Sequence, residues 1–256
     1  MRNNSVNNWL TSAHGQQFLA LEKEATDRAM RSLAGPNVLL VGNGLQQEKL
    51  LELDFPFLIK VDSEELDQSD VLRIVADEAF LPFVEDSFAS VLLPHVLEGH
   101  ELPHQVLREA HRVLQPEGHL LLTCCNPYSF MGLQRLIGMR VVPQGRYYSL
   151  SRVKDWLHLL GFEVVASAMY HYAPLFRDRK FQNRKFQKGQ LQNRRHHLFN
   201  AVGDRWLPML GGSYVITARK RDIGVNLVGK LPQRRQSNAA KLAPASVRRV
   251  ESNYQK

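Results

Sequence analysis

Between Asn8 and Leu33 the apolar residues Trp9, Leu10, Phe18, Leu19, Leu21, Ala25, Ala29 and Leu33 recur near helical spacing among charged neighbours. This predicts a helix that ends at Gly35-Pro36. The pattern then changes. Val38-Leu39-Leu40-Val41 is a short continuous apolar run, as a parallel strand covered on both faces requires, and Gly42-Asn43-Gly44 turns the chain behind it. Leu58–Val61, ending at Asp62, predicts a second strand, Leu72–Val75 a third that ends near Asp77, and Ser90–Leu93 a fourth. Leu102 to Leu114 carries apolar residues on a helical period; Gly118 breaks it, and His119–Thr123 reads as a fifth strand. Ser151 is the expected N-cap of a helix through Leu160, with Gly161 as its C-cap and Phe162–Val165 as strand six. Tyr214–Lys220 is the last strand. Strands separated by helical crossovers predict an α/β fold with a Rossmann-like, mainly parallel sheet flanked by helices.

A chain of 256 residues with 44% hydrophobic content can bury one such core and still carry appendages. The organisation expected is an N-terminal helical extension over 1–36, an α/β domain over 37–220 and a tail over 221–256. The net charge of +8 is unevenly placed: Arg177 to Arg195 carries +7 and Arg221 to Lys256 carries +6, leaving the remainder at −5. The basic residues therefore mark an insertion at about 174–212 and a tail whose few aromatics bury little surface, which reads as disordered. Either segment is a solvated surface or a contact for RNA phosphates. No apolar run is long enough to span a bilayer and the first residues lack the regions of a signal peptide, so the chain reads as cytoplasmic. Cys124 and Cys125 are adjacent at the end of an apolar run and read as small buried side chains. No metal site is expected, because the histidines His95, His100, His104 and His111 lack a ligand motif.

Three signatures carry the chemistry. Ala76-Asp77 leads into Leu81-Pro82-Phe83 and Ser87-Phe88; His95-Val96-Leu97-Glu98 follows strand four; Arg112-Val113-Leu114-Gln115-Pro116-Glu117-Gly118 leads into strand five. In this order and spacing they resemble the core of class I S-adenosylmethionine (SAM) dependent methyltransferases, above all the methyltransferase type 11 group, over about Asn37 to Asn126. The resemblance implies a seven-stranded sheet whose last strand inserts antiparallel between strands five and six. It also implies SAM as cofactor and a cofactor site beyond the carboxyl ends of the strands.

Carried over residue by residue, the resemblance puts Gly42, Asn43 and Gly44 against the cofactor and Asp62 on the ribose hydroxyls. Asp77 and the amide of Glu78 would meet the adenine, and His95 would line the sulfonium or substrate side as a candidate base. Asn126 and Tyr128, leaving strand five, are candidate substrate contacts, with Tyr147 and Tyr148 secondary. The chain departs from the family pattern at four places: Leu40 replaces an acid, Gln46 the third glycine, Ala89 an acid and Glu117 a glycine. The expected function is methyl transfer from SAM to an unidentified acceptor, a small molecule being favoured over RNA. The alternative is a catalytically inactive binding or regulatory relative, acting on RNA through the basic segments; a nicotinamide oxidoreductase leaves two of the signatures unexplained.

Overall fold

The computed structural model describes residues 9, 12–31, 33, 35–42, 55–62, 72–139, 142–172 and 208–221. Most of the expected basic insertion and nearly all of the tail lie outside these residues, as do Asn43 and Gly44. Seven strands form one sheet: β1 (Asn37–Val41), β2 (Phe57–Asp62), β3 (Leu72–Val75), β4 (Phe88–Pro94), β5 (Leu114–Cys125), β6 (Phe162–Tyr170) and β7 (Ser213–Lys220). Their order is β3-β2-β1-β4-β5-β7-β6. The first five are parallel, and β7 runs antiparallel to both β5 and β6. That is the topology the resemblance implies.

The helices are α1 (Ala13–Met30), α2 (Val96–Gly99), α3 (Pro103–Val113), α4 (Phe130–Leu136) and α5 (Leu150–Leu159). Alternate residues of each buried strand feed two cores. Leu39, Val41, Val91 and Leu93 pack with Val106, Leu107 and Ala110 of α3 and with Val153 and Leu157 of α5. Val38, Leu40, Leu92, Leu121 and Val215 face the other way, onto Phe18 and Leu19 of α1. Each large side chain buried in this way contributes about 1.5–3 kcal/mol of transfer free energy. Leu40, which stands where the family carries an acid, is fully buried in the second core.

Three expected boundaries are corrected. The N-cap of α5 is Ser149 rather than Ser151: its hydroxyl accepts from the Arg152 amide at 3.4 Å, while Ser151 lies within the helix. Strand β5 begins at Leu114, not His119, because Leu114 already pairs with Phe88. The register then slips between Phe88 and Ser90, and Glu117 takes a left-handed φ of 61° in the intervening bulge. Strand β6 continues past Val165 to Tyr170, its register against β7 shifting by one residue at a bulge between Val164 and Ala166. Among the described residues, no helix is long and apolar enough to cross a membrane.

Candidate active site

The carboxyl ends of β1 to β5 lie along one edge of the sheet, where the sequence-predicted residues gather. Gly42 ends β1 with φ 74°, and its amide donates to the Val61 carbonyl at 2.7 Å. A Cβ here would lie 2.7 Å from Val96 Cγ2 and 3.7 Å from the Glu78 carboxylate, so only glycine fits this turn. Asp62 ends β2 but is buried, with Oδ2 3.9 Å from Nζ of the fully buried Lys60. Part of its charge is thus committed within β2.

Asp77 follows β3 with an open carboxylate. Its Oδ1 accepts from the Ala79 amide at 2.8 Å and faces His100 Nε2 at 3.1 Å, while its carbonyl accepts from Phe80. This is an Asx turn, which fixes the carboxylate while leaving 55% of the side chain exposed. Glu78 points inward: burial, above all, raises its pKa, and His100 lies 3.9 Å away.

The Leu81–Phe83 loop is held by two residues whose contact with it sequence reasoning missed. Glu109 accepts from the Leu81 amide at 3.0 Å. The guanidinium of Arg112 donates to the Phe83 carbonyl at 2.7 Å, to the Leu81 carbonyl at 2.9 Å and to Glu109 at 2.7 Å. The sequence places Arg112 only in the turn before strand five. The signal available was the i,i+3 Glu–Arg spacing on α3, which aligns an acceptor and a donor fork on one face.

His95 requires correction. It does not open toward a pocket as a free base; it is 1% exposed, with both ring nitrogens against carboxylates. Nδ1 bonds Glu98 Oε1 at 2.8 Å, and Nε2 lies 3.1 Å from Glu22 Oε1 without the alignment of a hydrogen bond. The same Glu98 oxygen accepts from the Cys125 amide at 2.7 Å. Burial alone would lower the imidazole pKa, but the Glu22 and Glu98 carboxylates outweigh it and hold the ring well above the usual histidine range. The carboxylates thus favour the imidazolium form of His95, which is seated at φ 52° where β4 meets α2. Sequence reasoning also missed Glu22. It sits four residues after Phe18 and four before Thr26 on the buried face of α1, so a charge in the apolar phase of the helix was its signal.

Asn126 is also corrected. Its side-chain amide donates to the Met209 and Gly211 carbonyls, both at 2.9 Å, and its oxygen accepts from the Tyr128 amide at 3.2 Å. It ties the end of β5 to the turn before β7. Tyr128 is 70% exposed, Tyr147 donates to the Pro143 carbonyl, and Tyr148 packs against Trp156. Cys124 and Cys125 are buried free thiols whose pKa values burial raises. Among the described residues, two groups bring metal-capable atoms within 4.8 Å of one another, His95 with Glu98 and Cys125, and Asp77 with Glu78 and His100. In the first, the near Glu98 oxygen already accepts two N–H bonds.

Residues 39–122, from β1 through most of β5, match the family described as methyltransferase domain. The strand order and the antiparallel β7 are those of the class I methyltransferase fold. The uncharacterized protein YafS of Escherichia coli (strain K12) is 35% identical over 159 residues, 61% of this chain and 58% of that protein. A demethylmenaquinone methyltransferase of Chlamydia trachomatis is 32% identical over 112 residues, 40% of this chain and 49% of that one. The chain thus spans only about half the length of these curated relatives. Among solved structures, a chain in the complex between the Haloferax volcanii Trm112 methyltransferase activator and a methyltransferase superposes with a TM-score of 0.57. At 12% identity, covering 87% of this chain and 98% of that one, the likeness is one of fold.

Proposed function

We propose that the protein is a SAM-dependent methyltransferase acting in the cytoplasm on a small-molecule acceptor. The observation that carries this reading is the glycine cradle at the carboxyl edge. Gly42 turns the chain at φ 74° with its backbone so close to Val96 that no Cβ fits, and the exposed Asp77 carboxylate is fixed at the end of β3. These residues fit the cofactor: Gly42 through close backbone approach, Asp77 and the Glu78 amide for the adenine, Asp62 at the end of β2 toward the ribose. When bound, SAM would supply a methyl group on a positively charged sulfur. The chain's part is then to align the acceptor and exclude water, which lowers the barrier by removing the entropy cost of encounter. Methyl displacement in line requires no strong base, which agrees with an imidazolium at His95.

The test is calorimetric titration of the full chain with S-adenosylhomocysteine. Micromolar binding supports the reading, and Asp77→Ala should weaken it by about tenfold or more, the worth of a charge-assisted hydrogen bond. Unchanged affinity in a folded Asp77→Ala variant would remove the adenine assignment. No binding by the folded wild type would favour the inactive, RNA-contacting alternative.

A further inference from the structure

The seam between α1 and the ends of β4, β5 and β6 holds buried polar atoms that the protein leaves unsatisfied. Glu22 Oε2, Glu98 Oε2, His95 Nε2 and the Tyr170 hydroxyl are shielded from solvent and have no hydrogen-bond partner among the described residues. Each such atom carries the desolvation penalty of an unmade hydrogen bond. The one imidazole of His95 faces two carboxyl groups, Glu22 and Glu98, both on side chains no more than 5% exposed. Burial, and after it the Glu22 carboxylate, pushes the Tyr170 phenol well up, as expected of a hydroxyl facing that cluster. The apolar wall is aromatic: the Phe18 ring lies 5.6 Å from His95 and 6.0 Å from Tyr170, with Trp9 edge-on at 5.3 Å.

Unfilled acceptors, two carboxyl groups against one imidazole and aromatic faces share one complement, an organic cation with N–H donors and a small apolar body. A bare metal ion fits less well, since the Glu98 oxygen nearest His95 and Cys125 is already taken by their N–H groups. The cluster also adjoins the cofactor edge, because Val96, the residue after His95, is the one that Gly42 packs against.

We propose that Glu22, Glu98 and Tyr170 bind the ammonium group of a small amine, and that this amine is the methyl acceptor. The proposal rests on the methyltransferase reading. In the transfer, the bound ammonium gives one proton to a carboxylate of the cluster. The freed nitrogen lone pair forms the N–CH3 bond as the C–S bond breaks, and that bond's electron pair stays on sulfur as a neutral thioether. The product is a methylated ammonium that carries the positive charge the sulfonium loses.

Benzylamine and phenethylamine titrated into the full chain saturated with S-adenosylhomocysteine test this, with benzyl alcohol as the uncharged control. At least one amine should bind, with the alcohol at least about tenfold weaker, as expected when a charged hydrogen bond is lost. Glu22→Gln and Tyr170→Phe should each weaken the amine severalfold while leaving the S-adenosylhomocysteine affinity and the melting temperature near wild type. Three results would overturn the proposal. One is no amine binding by the saturated protein. Another is amine affinity unchanged in both folded variants, with a lowered melting temperature marking the cluster as structural. The third is a Glu22→Gln variant that loses S-adenosylhomocysteine instead. If the folded wild type fails to bind S-adenosylhomocysteine at all, it is the methyltransferase reading that falls, and the acceptor assignment with it.

Discussion

The Leu81–Phe83 loop and the seam around His95 both lie beside the carboxyl edge of the sheet and both use carboxylates, yet they use them in opposite ways. Around the loop, Glu109 has its donors, Arg112 has its acceptors, and the pair stays partly in water. At the seam, two carboxyl groups and an imidazole are enclosed with oxygens left over. A satisfied network on a partly wet surface stabilises a shape and asks for nothing more. An unsatisfied one under a helix is a cost that a ligand can offset. The first region is thus settled local architecture, and the second still holds polar atoms to satisfy.

The comparison breaks most sharply at Glu98. Glu98→Ala removes the acceptor shared by His95 and the Cys125 amide and leaves two buried donors without it. The expected loss is about 3–5 kcal/mol of stability, read from the urea midpoint. A loss under about 1 kcal/mol would mean that the seam is wetter and looser than its burial indicates. At the loop, Arg112→Lys should cost less, about 1–2 kcal/mol, because an ammonium cannot span both carbonyls and Glu109 in one plane. Faster hydrogen exchange at the Leu81 amide, with the β1 and β4 amides unchanged, would localise the effect.

The smallest effect is a pH dependence confined to the seam. The native His95 pKa lies well above its ordinary 6.5, so its contribution is complete below that pH and declines as pH rises through the native value. The stability difference between wild type and His95→Gln should therefore be greatest in mild acid and shrink toward alkaline pH. Taking the difference cancels His111 and His119, whose pKa values burial lowers and whose contributions run the other way. A difference that grows with pH would mean that the ring is neutral in the folded protein.

Much of this molecule was legible in its sequence. The continuous apolar runs Val38–Val41 and Val91–Leu93 are short and bounded by turn residues, as strands covered on both faces must be, and the break at Gly161 follows from backbone conformation alone, whereas α1 ends at Met30, short of the expected stop at Gly35-Pro36. These are local properties, carried by neighbours in the chain. The Asp77 turn and the Gly42 bend belong to the same class, since each depends on residues within a few positions.

What the linear pattern did not carry was partnership. His95 reads as an edge residue until α1 brings Glu22 to its far nitrogen, 73 positions away in the chain. Asn126 reads as a substrate contact until the turn before β7 presents two carbonyls to it. Whether a polar side chain faces water, a ligand or the protein itself is decided by which distant segment covers it, because burial and charge pairing depend on distance in space. The sequence alone determined the strands, their order of appearance and the glycine turn; only the tertiary structure decided which of the polar residues at the sheet edge are already spent and which still lack a partner.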